Sequence, residues 1–210
     1  EGFGIFEKPR EVWFHGPLEC VFRDGTRCDF SRMPGAVGLS EVNLDAVDCV
    51  RVAAPLCLTV ENEAVFLELV KRNPGVFLIR AGFAGSAVMK LLALLPRDTR
   101  IMHFGDTDAA GFDILRDLRE RGGRAFAPLL MEPDSTPGTP ALDAREIQTL
   151  DRLIDSPSML DIRERLIRYR DAGVKGRFEQ ELVPVERVAD RLKMAMWERE
   201  DPPASDSESI

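Results

Sequence analysis

Short apolar runs and stretches of helical spacing alternate through the middle of the chain. Residues 56–60 (Leu-Cys-Leu-Thr-Val) read as a buried strand. Val65, Phe66, Leu69 and Val70 then recur at helical spacing across residues 62–72, and Asn73-Pro74-Gly75 ends the pattern. The same alternation gives a strand at 76–79, a helix at 86–95 stopped by Pro96, and a strand at 100–104. A helix at 109–121 closed by Gly122-Gly123 and a strand at 124–127 complete it. Regular β-α repeats with short connections predict a parallel four-stranded sheet with right-handed crossovers, flanked by helices.

The flanks have a different grain. Val12-Trp13-Phe14, Gly16-Pro17, residues 18–22 and Asp24-Gly25 predict a small antiparallel β element, with Asp24-Gly25 as its hairpin turn. A Pro/Gly-rich exit at 33–38 precedes a short helix that Ser40 caps and that runs to about Val47. Beyond Met131 comes a loop rich in Pro, Ser, Thr and Gly at 133–140, then helical stretches at 143–154, 158–172 and 184–197. The fold class is therefore α/β, with a small N-terminal β element and a C-terminal helical extension. Residues 201–210 are polar and read as disordered, and no internal repeat is visible.

Composition narrows the class without naming a function. Apolar residues at 44% and charged residues at 30% fit a soluble globular protein of 210 residues. No apolar stretch approaches the roughly 18 residues needed to span a bilayer, and no signal peptide is visible, so the expectation is a cytoplasmic protein with no membrane partner. The chain begins at Glu1 rather than Met, which points to a fragment. Cys20, Cys28, Cys49 and Cys57 match no zinc spacing and read as buried free thiols. A net charge of −8 argues against generic polyanion binding. The acidic tail contributes to that total, and Arg163, Arg165, Arg168, Arg170, Lys175 and Arg177 cluster within a short span. That cluster is either a phosphate-tracking face or a solvated helix surface.

Candidate chemistry concentrates at 100–112. Asp106 and Asp108 follow a strand directly and precede a helix. Two acids one residue apart on the carboxyl rim of a parallel sheet can direct oxygens at a hard cation. Equally, Asp108 can cap the helix and Asp106 can serve the turn. The first strand ends at Val60 and is followed by Glu61. If the two strands are parallel neighbours, three carboxylates share one edge, an arrangement that like-charge repulsion disfavours without a cation. Gly105 allows close backbone approach or a positive φ, and Gly111 allows tight packing at the helix start. The Arg80-Ala81-Gly82-Phe83-Ala84-Gly85-Ser86 loop could offer backbone N–H groups to phosphate, but it lacks both P-loop and dinucleotide spacing. His103 reads as a strand histidine, His15 as a turn residue without a partner, and Glu63 as exposed on the first turn of its helix.

The Val60-Glu61-Asn62 and Gly105-Asp106-Thr107-Asp108-Ala109-Ala110-Gly111-Phe112 segments resemble the Toprim domain of primases, topoisomerases and several nucleases. Within it they are most similar to the topoisomerase VI A-subunit branch, and closer still to the JetD (MksG) family of Wadjet plasmid-defence nuclease subunits. Leu129-Leu130-Met131, Glu179-Gln180-Glu181 and the lead-in from Gly16 to Ala46 extend the resemblance to roughly residues 16–192. It implies a lead-in at 1–48, a Toprim core at 49–132, a helical extension at 133–198 that completes the domain, and an acidic tail at 199–210. It also implies Glu61, Asp106 and Asp108 as catalytic Mg2+ or Mn2+ ligands, with Glu179 and Glu181 as further acidic residues at the site. For those two, a solvated loop before the last helix is the competing reading. Implied partners are double-stranded DNA, an SMC-like ATPase complex and a second copy of the chain. On the phosphate-tracking reading of the basic cluster, Arg163, Arg168, Lys175 and Arg177 are the candidate DNA contacts.

Two departures from the resemblance redirect the chemistry. The transesterases of this branch attack DNA with a tyrosine upstream of the Toprim core, whereas the single tyrosine here is Tyr169, downstream of it. Metal-assisted hydrolysis with water as nucleophile is therefore the expected reaction, in a DNA endonuclease. The N-terminal DNA-gripping arm and winged helix of the branch are also missing, again pointing to a C-terminal fragment. A rival reading is a non-catalytic module that docks an ATPase and binds DNA or metal. A small-molecule phosphotransfer enzyme lacks any recognisable nucleotide motif.

Overall fold

A computed structural model describes residues 10–134, 136, 138–177 and 179–197. The tail expected at 199–210 lies outside the described residues. The repeating unit runs β6 (Leu56–Val60), α2 (Glu63–Arg72), β7 (Phe77–Arg80), α3 (Ser86–Leu94), β8 (Arg100–Phe104), α4 (Ala109–Gly122) and β9 (Phe126–Pro128). Strands β7, β6, β8 and β9 are parallel neighbours in that order. Val60 stands opposite Phe104 and Arg80, so three strand ends finish level. Every residue of β6 is buried, as expected of a strand covered on both faces.

Two core clusters sandwich the sheet. One packs Cys57, Phe77, Ile79, Ile101 and Phe126 against α3, α4, and the helices α5 (Ala144–Asp155) and α6 (Arg163–Ala172). The other packs Leu58, Leu78, Met102 and Phe104 against α2 and α7 (Val185–Trp197). Neighbouring residues of one strand fall in opposite clusters because side chains alternate across a sheet. Helix ends carry the caps their sequences imply. Asn62 accepts from the N–H groups of Ala64 and Val65, and Asp143 forms a reciprocal capping box with Glu146.

The N-terminal region is less local than its pattern implies. β2 (Leu18–Phe22) and β3 (Arg27–Asp29) form the expected hairpin about Asp24-Gly25. β5 (Val47–Val52) joins β2 to complete a three-stranded sheet. β1 (Glu11–His15) instead extends the main sheet, antiparallel to β7 on one side and to β4 (Val37–Ser40) on the other. That sheet therefore has six strands, of which four are the parallel ones. Ser40 caps α1 (Glu41–Asp45) as expected.

Two further differences have simple causes. Arg124 lies before β9, and its guanidinium donates to the carbonyls of Leu95, Pro96 and Thr99, closing the end of α3. The 158–172 stretch is split into a 3-10 turn (Pro157–Ile162) and α6. The four thiols are free, but only Cys20 and Cys57 are buried. Cys49 is exposed on β5.

Candidate functional site at the carboxyl edge of the sheet

Because β6 and β8 are parallel and in register, the residues that follow them leave the sheet together. The Glu61 N–H donates to the Phe104 carbonyl at 3.0 Å, tying the two exits. The chain then turns so that the Asp106 N–H donates to Glu61 Oε2 at 3.0 Å. Asp108 caps α4 through Oδ1, which accepts from the Gly111 N–H at 2.7 Å. Asp106 Oδ1 accepts from the Gln180 N–H at 2.9 Å. Each of the three carboxylates therefore has one oxygen fixed by a backbone N–H. The second oxygen of each makes no hydrogen bond among the described residues.

The electrostatics record the crowding. Burial pushes the Glu61 carboxyl up to about 7, with Asp106, Asp108 and Glu181 adding to the shift and the Asp106 N–H opposing it. Asp106 is also raised, first by burial and then by Asp108, Glu181 and Glu179. Like charges at one edge thus disfavour full ionisation. Five acids are brought within electrostatic reach. Among the described residues, however, no three His, Cys, Asp or Glu side chains are already arranged as a metal cage.

The sequence pattern gave no sign of the residue that organises this edge. Gln180 is 1% exposed. Its side chain accepts from the Asn62 N–H at 2.8 Å and donates to the Phe104 carbonyl. With its backbone bond to Asp106, it joins the exits of β6 and β8 to the short turn Gln180–Leu182. Asn62 in turn donates from Nδ2 to Glu181 Oε1. Glu179 and Glu181 are exposed, on the segment that Gln180 anchors. The only hint in the sequence is a polar residue between two acids, which does not reveal burial.

Gly105 and Gly111 act through space, not through φ. A Cβ on Gly105 would sit 2.7 Å from His103 Nε2 and 2.9 Å from Glu61 Oε2. On Gly111 it would lie 2.1 Å from the Asp106 carbonyl oxygen. In an open helix, Gly111→Ala would gain about 1 kcal/mol. Here the backbone overlap dominates, so the variant should lose about 1–3 kcal/mol and displace the Asp106–Asp108 turn. Urea melts check this, and a stabilised variant would contradict it.

His103 is fully buried, and its pKa is lowered to about 3 by burial and by Arg119. Its Nδ1 lies 2.9 Å from Thr59 Oγ1, whose proton goes to the Met102 carbonyl. Nδ1 therefore carries the ring proton, and Nε2 has no partner among the described residues. This neutral strand histidine is held in one tautomer. Tyr169 is equally unavailable: it is 1% exposed, burial raises its pKa, and its hydroxyl donates to the Lys175 carbonyl. Glu63 is exposed and pairs with Arg80 at 3.2 Å.

The basic residues scatter. Arg163 donates from Nε to the Ile154 carbonyl, and Lys175 pairs with Glu146 at 2.8 Å. Arg168 is exposed on α6. Arg177 borders the site, lining a small cleft with Thr107, Glu179 and Gln180, and Lys175 lies within electrostatic reach of Asp108. Leu130, in the same cleft, adopts a left-handed φ of 56°, between Leu129 and Met131, which are both buried. Packing on either side holds that sparsely populated conformation.

The family model described as "Wadjet protein JetD, C-terminal" matches residues 25–192, which take in the whole of this edge. The chain belongs to the JetD C-terminal family. A curated relative, the Wadjet protein JetD of Bacillus cereus (strain Q1), is 24% identical over 138 residues. That match covers 63% of this chain and 34% of the relative, so the shared region spans about a third of the relative's length. In this JetD-family chain, the matched region carries Glu61, Asp106, Asp108 and the Gln180 segment alike. No helix among the described residues is long and apolar enough to cross a membrane.

Proposed function

We propose that this chain is the Toprim-type nuclease domain of a Wadjet plasmid-defence system, hydrolysing DNA phosphodiesters with Mg2+ or Mn2+ held at Glu61, Asp106 and Asp108. The observation that carries the reading is that Glu61, Asp106 and Asp108 leave adjacent parallel strands at one edge, each with one oxygen fixed by a backbone N–H, where burial and like charge push Glu61 and Asp106 up. Free energy that disfavours ionised carboxylates at one edge is what a hard divalent cation relieves. The donor set fits such an ion: all oxygen, one atom of each carboxylate unengaged, and a glycine at the one position where a Cβ would crowd Glu61.

When bound, the cation supplies charge stabilisation at the phosphate and lowers the pKa of water. The protein's own part is placement. Gln180 fixes Asp106, the Asp106 N–H fixes Glu61, and the start of α4 fixes Asp108. Neutral His103 and buried Tyr169 offer neither a base nor a covalent nucleophile, which leaves water as the attacking group. In a Wadjet assembly, the partners this reading requires are double-stranded DNA, a second copy of the chain and an SMC-type ATPase that delivers the DNA.

One observation favours a non-catalytic docking module instead: each carboxylate is half engaged with backbone, and among the described residues no three acids are already caged. Titration calorimetry with Mn2+ tests the site, and plasmid cutting separates the two readings. Wild type should bind, and Asp108→Ala should bind at least about tenfold more weakly. A plasmid should be nicked or cut only when Mn2+ or Mg2+ is supplied. Absence of Mn2+ binding by wild type, or cutting that persists in excess chelator, would overturn the nuclease reading.

A further inference from the structure

The Gly-rich loop after β7 takes no part in holding the carboxylates, yet it lies against them. Glu61 lies along it: a Cβ on Gly82 would sit 3.9 Å from Glu61 Cγ. Phe83 projects from this loop with 64% of its surface exposed. It lines two clefts at once. One, of about 490 Å3, contains Glu61 together with Arg10, Trp13, Arg80 and Gly85. The other, of about 680 Å3, contains Asp108 together with Gln148, Arg145 and Arg152. Phe83 is thus the shared wall of two clefts, each of which holds one of the candidate ligands.

We infer that the two clefts form one track for a DNA strand, with Phe83 stacking on an unstacked base beside the phosphate that a cation at Glu61, Asp106 and Asp108 would hold. This rests on the nuclease reading for the position of that phosphate. Arginines stand in the cleft on either side. Among the described residues Arg80 is held only by an exposed pair with Glu63, the kind of contact worth little in water and easily exchanged for a phosphate. Arg145 is exposed and makes no ion pair among the described residues. Gly85, at the head of α3, provides no side-chain cap and lies in the first cleft, but Glu41, which accepts from Ser86 Oγ at 2.7 Å, already places an acid at that helix end, so the arginines carry the attraction for phosphate. Aromatic faces interleaved with arginines are the chemistry of strand binding, where each base offers a π-face and each phosphate a charge. The core of a protein–protein interface would be depleted of charge, and these clefts carry acids and arginines around Phe83 and Trp13.

The test measures binding apart from cutting. An oligonucleotide with 2-aminopurine in a short unpaired gap is titrated with the chain in Ca2+, which supports binding without turnover. Phe83→Ala should weaken binding about tenfold and abolish the change in 2-aminopurine emission. Phe83→Trp should restore both, and a fully paired duplex should be less sensitive to either change. Binding by Phe83→Ala within about twofold of wild type, with the emission change intact, would overturn the inference. So would a change confined to self-association in sedimentation, which would make Phe83 a contact between copies. Glu61→Gln serves as the control: unchanged cutting in that variant would sink the nuclease reading and leave the stacking result standing.

Discussion

Glu61→Gln should reduce DNA cutting about a thousandfold and, in the absence of divalent cation, make the protein more stable at neutral pH. The two effects share one cause. In the folded chain the Glu61 carboxyl is pushed up to about 7 from an ordinary value of 4.5, mainly by burial. A raised folded pKa means that the folded state holds a proton that the unfolded chain has released. Stability is therefore fully present below about pH 4.5 and is lost as pH rises toward 7, where ionised Glu61 carries its whole penalty. A shift of that size corresponds to about 3 kcal/mol, and partial exposure reduces the expected gain to about 1–2 kcal/mol. Glutamine removes the charge and can still accept from the Asp106 N–H, so the turn is retained. Urea melts should show the gain near pH 8 and none near pH 4.5. Added Mn2+ should reverse the order, because wild type gains more binding free energy than the variant. A variant less stable than wild type at the higher pH would show that burial of this charge is not the cost inferred here.

The parts of this site that were legible in the sequence are those built by local rules. The alternation of strand and helix placed Glu61 and Asp106 at the same edge, and the register of β6 with β8 bears that out. For Asp108 the capping reading holds, since Oδ1 caps α4, and the other oxygen, which makes no hydrogen bond among the described residues, is the one the proposed cation would use. Gly105 and Gly111 are explained by close approach, with Glu61, His103 and the Asp106 carbonyl where a Cβ would sit. What escaped the sequence is non-local. β1 reads as part of the small antiparallel β element, yet its partners are β4 and β7, distant in sequence. β4 is a four-residue strand containing Gly38, and only pairing with β1 makes it a strand. Phe83 and Gln180 invert the usual rule, since the aromatic is exposed and the amide is buried. Hydrophobic patterning assigns such residues to the wrong side, and a functional edge is where that rule is expected to fail.

Gln180→Leu should lower cutting about a hundredfold at fixed Mn2+ while leaving the sheet folded. The side chain satisfies the Asn62 N–H and the Phe104 carbonyl, and its own backbone N–H holds Asp106. Leucine is of similar size but leaves both buried partners unsatisfied, at a cost of about 1–3 kcal/mol each. The segment can escape that cost by lifting away, since Glu179, Glu181 and Leu182 are exposed and the turn is short. Lifting would release Asp106 Oδ1 and remove Glu179 and Glu181 from the edge. The core beneath depends on Leu58, Leu78, Phe66 and Leu192, none of which contacts Gln180 by hydrogen bond. Expected signatures are faster hydrogen exchange at residues 179–183 and at the Asn62 amide, with protection of β6 and β8 retained. Raising Mn2+ should recover part of the activity, because a displaced carboxylate edge binds the cation more weakly without losing its donors. Gln180→Glu should be worse at low Mn2+, since it sets another carboxylate facing the Phe104 carbonyl and beside Asp106, which like charge already raises. Cutting by Gln180→Leu within about twofold of wild type, with unchanged exchange at Asn62, would show that the acids hold their places without this residue.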